Sequence, residues 1–269
     1  MYPNEQVLQS EGCPGLVDTH CHLDLAPLSL RLAEVVADAR QAGVAHFVVP
    51  GVHPDGWGRM ALLASRYECI FAAFGIHPMH ADVADESNLL RLAKLSSSGV
   101  AIGEIGLDPS YAVSLESQER AFRKQLRLAV TLGLPVLIHC RRAFRQTLQI
   151  LQEEGAHRVG GIMHAYSGSS EMAREFIRLG FAISISGMVT RDRSVHLPKV
   201  VRELPLEVMV LETDAPDMTP QRFRGQPNQP AYLMEVLLAV ARIKGVEACA
   251  AARLLRERSC EVLSRMKVS

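Results

Sequence analysis

Short apolar runs alternate along this chain with longer amphipathic stretches. The runs at 15–20 (GLVDTH), 46–51 (HFVVPG), 71–77 (FAAFGIH) and 100–106 (VAIGEIG) predict strands, as do 135–140 (PVLIHC), 161–165 (GIMHA), 181–186 (FAISIS) and 208–214 (VMVLETD). Most are continuous rather than alternating, the pattern of parallel strands buried on both faces. The stretches between them carry a helical period. LRLAEVVADARQAG closes at Gly43, EMAREFIRLG at Gly180, and 114–133 has Ser114 and Ser117 as candidate N-caps with Gly133 as its stop. The last stretch, 231–266, reads as two helices broken near Lys244-Gly245. Eight strand-helix units in 269 residues predict an α/β fold of one TIM-type (β/α)8 barrel, for which about 250 residues is typical. The barrel is expected over 16–269, after a polar lead-in at 1–15. A doubly wound open sheet is the alternative, but the first strand-helix turn has no G-x-G-x-x-G.

Composition narrows the partners. With 48% hydrophobic and 22% charged residues and a formal net charge of zero, the chain lacks a broad electrostatic surface for nucleic acid or membranes, although a local basic groove stays open. There is no run of eighteen apolar residues, so no membrane span is expected. The opening MYPNEQVLQSEGCPG has neither a basic n-region nor an apolar h-region. Six scattered cysteines without C-x-x-C read as reduced thiols, mostly small core residues, so the expected compartment is the cytoplasm. Nothing in the pattern calls for an obligate protein partner or sets an oligomeric state.

Candidate chemistry gathers at the strand ends. In an extended strand, residues i and i+2 share a face. His20 and His22 therefore stand side by side, with Cys21 turned away. Glu104, His139, His164 and Asp214 fall at the ends of the fourth, fifth, sixth and eighth runs, and in a parallel barrel all these ends open on one mouth. Four imidazoles and two carboxylates exceed one tetrahedral site and suit two divalent ions, zinc, manganese or magnesium. His20, His22 and Asp214 would share one ion, because the first and eighth strands meet on closure. His139 and His164 would hold the other, and Glu104 would bridge. Asp214 and Glu104 are the candidate catalytic carboxylates of a hydrolysis, Asp214 as acceptor of a water proton. A single buried histidine is usually structural and a single Glu104 could be a paired carboxylate, but burying all six without a shared cation would be very costly.

Softer candidates surround this set. His77, Arg141, Arg142, Arg222 and Arg224 are candidate substrate contacts, the guanidiniums as forks for phosphate oxygens, with solvated surface arginines the bland alternative. His46, His53, His80, His157 and His196 read as loop or helix-surface residues, and Trp57, Met188 and Met218 as packing residues. QRFRGQPNQP reads as a shaped loop over the mouth.

The ordered stretches VDTHCHLD, FGIHP, AIGEIGLD, PVLIHCRRA, HAYSGS, LETDAPDM and GQPNQP resemble the TatD-like metal-dependent hydrolases, including the YjjV-type branch. The resemblance implies a distorted TIM barrel of the amidohydrolase superfamily with a dinuclear metal centre. It maps the metal ligands onto His20, His22, Glu104, His139, His164 and Asp214. Characterised members are magnesium-dependent deoxyribonucleases, often 3′ to 5′ exonucleases on single-stranded ends. The expected function is accordingly a divalent-metal-dependent phosphodiesterase acting on nucleic acid ends. The alternative is a small-molecule amidohydrolase cleaving an amide, ester or lactone at the same metals. Tyr166 stands where the family commonly has Phe.

Overall fold

The computed structural model describes residues 13–268, so the expected lead-in lies outside the described residues up to residue 12. Eight parallel strands follow one another in chain order around the sheet: β1 (Leu16–Asp18), β2 (Val44–Pro50), β3 (Ile70–Phe74), β4 (Ala101–Leu107), β5 (Val136–Cys140), β6 (Gly161–Met163), β7 (Phe181–Ile185) and β8 (Met209–Leu211). Each expected strand is present. Several are shorter than expected, because the polar residues that end the apolar runs leave the ladder and turn over the mouth.

The seam between β8 and β1 closes through side chains and loop backbone. The Thr19 N–H and hydroxyl donate to Leu211 O at 3.0 and 2.9 Å. The Thr213 N–H and hydroxyl donate to the Asp18 carboxylate at 2.9 and 2.6 Å. Asp214 N–H then donates to His20 O at 2.9 Å, which completes a nearly closed barrel.

Both faces of the strands are buried, as the continuous apolar runs require. One residue from each strand (Val17, Val48, Ala73, Ala101, Leu137, Ile162, Ala182, Val210) joins a core separate from the one beneath the helices. Leu263 and Met266 complete that inner core beside Val100 and Phe71, at the N-terminal ends of the strands. The opposite, C-terminal ends are left to the polar residues.

The helices among the described residues are α1 (Leu32–Gln41), α2 (Trp57–Arg66), α3 (Glu86–Leu95), α4 (Leu115–Leu132), α5 (Phe144–Glu153), α6 (Ser170–Arg178), α7 (His196–Glu203), α8 (Leu233–Lys244) and α9 (Ala248–Val262). Ser114 caps α4 by accepting the Ser117 N–H at 3.2 Å, so Ser117 is the cap's partner rather than a second cap. Gly133 ends α4 at φ +63°, and Gly245 breaks α8 from α9 at φ +67°, a conformation that suits glycine. No described helix is long and apolar enough to cross a membrane.

Candidate metal centre

The six expected ligands meet above the C-terminal ends of the strands, and the local backbone explains how each arrives. His20 and His22 lie just past β1, yet the alternation persists. Their rings sit 5.1 Å apart, while buried Cys21 points away with Sγ 3.8 Å from Val48 O. Asp214 lies three residues past β8 at φ +55°, a left-handed conformation that few residues other than glycine, asparagine and aspartate adopt. Asn228, from the expected mouth loop, supports that turn by donating to Thr213 O and Asp217 O at 2.8 and 2.7 Å.

Glu104 departs from expectation: it sits in the middle of β4 rather than at its end. The β4–β5 register shifts between Gly103 and Ile105, a bulge that re-aims one side chain. Glu104 N–H donates to Gly51 O at 3.0 Å, across the end of β3. A mid-strand carboxylate thereby reaches the mouth.

Glu104 is the hub. Its Oε1 lies 2.8 Å from His139 Nδ1, 3.5 Å from His77 Nε2 and 3.6 Å from His164 Nε2, and its Oε2 lies 3.2 Å from His20 Nε2. Asp214 Oδ1 faces it, 3.6 Å from His22 Nε2 and 3.7 Å from both His20 Nε2 and His164 Nε2. The rings of His20 and His164 stack at 3.5 Å.

His20, His22 and Asp214 group together as expected, but His139 and His164 do not pair. His164 stands with His20 and Asp214, whereas His139 groups with Glu104 and His77, and the rings of His139 and His164 are 6.3 Å apart. His77, a candidate substrate contact, is buried inside the cluster.

Burial resists ionisation of Glu104. The His20, His164 and His77 imidazoles and the His139 hydrogen bond outweigh it and hold the carboxyl well below the usual carboxylate range. Asp214 is likewise lowered, burial being outweighed by His164 and His22. Burial also opposes protonation of His164, but Glu212, Glu104 and Asp214 push it up to about 10. His20 is lowered, by burial first and then by His164. Carboxylates and imidazoles that compete for protons in this way fit a divalent cation. So do the buried His20 Nδ1 and Nε2 and His22 Nδ1, which have no hydrogen-bond partner among the described residues.

Two carboxylates at this site were missed in the sequence. Glu212, fully buried, lies 3.0 Å from His164 Nδ1 and accepts the Ala165 N–H at 2.7 Å. Asp108 Oδ2 lies 3.1 Å from His139 Nε2. Glu212 precedes Asp214 by two, the same spacing that flagged the histidine pair, and that signal could have found it.

The other expected contacts scatter. Arg141 and Arg142 are exposed on the turn after β5, with Arg141 Nη1 3.4 Å from Ser110 Oγ. Arg222 pairs with Glu235 at 2.9 Å, and Arg224 is exposed in the loop after β8. His46 is a half-buried residue of β2 rather than a loop or helix residue, because its ring lies against Phe71. His53 and His80 face each other at 4.8 Å, and His157 and His196 are exposed. Trp57 packs as expected, donating Nε1–H to Gly75 O at 3.0 Å, and Met218 is half-buried. Met188, on the short turn after β7, is exposed rather than a packing residue.

Comparison with known proteins gives a consistent answer. A family model described as TatD related DNase matches residues 17–264. The chain is 39% identical to "Uncharacterized metal-dependent hydrolase YabD" of Bacillus subtilis (strain 168), over 85% of this chain and 91% of that protein. It is 34% identical to "3'-5' ssDNA/RNA exonuclease TatD" of Cronobacter sakazakii, over 79% of this chain and 84% of that one. The crystal structure of YjjV, a TatD homologue from Escherichia coli K12, superposes with a TM-score of 0.87 at 33% identity, covering 92% of this chain and 97% of that one.

Proposed function

Because the chain belongs to the TatD-related DNase family of metal-dependent hydrolases, we propose that it removes nucleotides from single-stranded nucleic acid ends by hydrolysing phosphodiester bonds. The observation that carries this reading is the Glu104 carboxylate, met by four imidazoles with the Asp214 carboxylate opposite. His20, His22 and Asp214 would hold one divalent ion and Glu104 and His139 a second, with His164 Nε2 near both carboxylates. Divalent ions there supply Lewis acidity to phosphoryl oxygens and acidify water.

The chain's own groups do the rest. Asp214, held ionised, accepts the proton of the attacking water. Glu212 accepts the Nδ1–H of His164 and so leaves Nε2 as the free donor atom, while Asp108 orients the His139 ring. The exonuclease name of the Cronobacter relative supports a 3′ to 5′ direction. Scattered free thiols support a cytoplasmic setting, and no obligate protein partner is proposed.

Single-stranded DNA labelled at its 5′ end, incubated with Mg2+, Mn2+ or Zn2+, is expected to shorten from the 3′ end. EDTA should stop the reaction, and Asp214→Asn should slow it by about 10²–10⁴-fold. A metal-loaded enzyme that shortens no oligonucleotide with any of these ions overturns the reading, and turnover of a lactone or amide instead would favour the amidohydrolase alternative.

A further inference from the structure

Beside the metal centre, on the same rim, an open groove of about 520 Å3 is bounded by the turn after β4 and the first turns of α5 and α6. Arg142, Arg145 and Ser169 form its polar wall, and Phe144, Met172 and Leu115 its apolar one. The volume lies within the range of small-ligand pockets, about 300–1,000 Å3.

Three observations single it out. The first is charge. Arg142 and Arg145 are exposed and make no hydrogen bond or ion pair among the described residues, whereas Arg222, in the loop after β8, is neutralised by Glu235. The second is continuity with the centre. Pro109 of the groove directly follows Asp108, which contacts His139, and Ser169 ends the loop that begins after His164. The third is the buried Tyr166. Its hydroxyl donates to Ser169 O at 2.7 Å, and its ring packs edge-on against Phe144 at 5.5 Å. That hydroxyl ties the polar wall to the apolar floor. Guanidiniums beside an aromatic surface suit a nucleotide, the cation taking phosphate and the ring taking the base.

We propose that this groove seats the nucleotide adjoining the scissile phosphodiester, with its phosphate on Arg142 and Arg145 and its base on Phe144 and Met172. Tyr166 is the positioning residue that fixes the Ser169 wall. The proposal rests on the phosphodiesterase reading above. It makes the groove, rather than net charge, the source of nucleic acid recognition in a neutral protein.

The test compares kcat and KM for oligothymidylates of increasing length with those for bis(p-nitrophenyl) phosphate, which is too small to fill both places. For the wild type, KM falls as the oligonucleotide lengthens. Arg145→Glu raises oligonucleotide KM about tenfold, the loss of one charge-assisted hydrogen bond, while reporter turnover stays within about twofold. Arg145 is exposed in the first turn of α5, where an acidic side chain suits the helix dipole, so folding is spared. Arg145→Lys restores most of the affinity, Tyr166→Phe raises oligonucleotide KM severalfold, and R142E/R145E also flattens the salt dependence. Wild-type oligonucleotide KM in R142E/R145E, or equal losses on both substrates in R145E, overturns the groove. A wild type that cleaves neither substrate overturns the phosphodiesterase reading and this proposal with it, a failure visible before any variant is made.

Discussion

Glu212 does for His164 what Asp108 does for His139: it occupies one ring nitrogen and so decides which way the other faces. Such outer carboxylates typically account for 10–100-fold in metal affinity. Glu212→Gln is therefore expected to weaken Mn2+ binding by about that factor, read by calorimetric titration of metal-free protein, and unchanged affinity would refute the role. At this scale much of the site was readable beforehand, because imidazoles and carboxylates in short apolar runs are conspicuous. Glu212 and Asp108 were harder to pick out. Glu212 shares its run with Asp214 and Asp108 lies just past the run that holds Glu104, and composition does not say which of two nearby carboxylates turns toward a histidine.

At the scale of elements, β4 is the decisive one. Its bulge carries Glu104 into the mouth, and Gly106 lets β5 lie close enough to present His139. Gly106 has φ +148°, and a Cβ there would fall 1.8 Å from His139 O, which no small adjustment relieves. Gly106→Ala is expected to destabilise the protein by about 3 kcal/mol or more through overpacking and backbone strain. Urea denaturation measures this, and the variant should also lose divalent binding because His139 moves. The apolar run around Glu104 was legible as a strand. Its bulge was not, since the shift is set by pairing to β5 and to Gly51, residues distant in sequence.

For the molecule as a whole, the two ends of the barrel divide stability from chemistry. The seam holds β1 to β8 through Asp18 and Thr213. Burial pushes the Asp18 carboxyl up to about 7 despite the hydrogen bonds it accepts from Thr213 and His20. At the far end, Leu263 and Met266 fill the inner core. Leu263→Ala should cost about 2–5 kcal/mol, the usual price of emptying a packed leucine site. Its kcat at low temperature should stay near wild type, because the cavity opens at the end away from the ligands. A large fall in kcat with unchanged stability would contradict that division.

By itself the sequence determined the rhythm of eight strand-helix units, the helix stops at Gly133 and Gly245, and the residue types able to hold divalent cations. Those follow from local causes: periodicity, capping chemistry and the donor atoms of each side chain. Tertiary structure alone decided that Glu104 reaches the centre from mid-strand, that His164 stacks on His20 rather than pairing with His139, and that Arg222 is spent on Glu235. The first two are contacts between residues far apart in the chain, fixed by the register and closure of the barrel, and the third depends on how the loop after β8 folds back on α8; no local pattern encodes either.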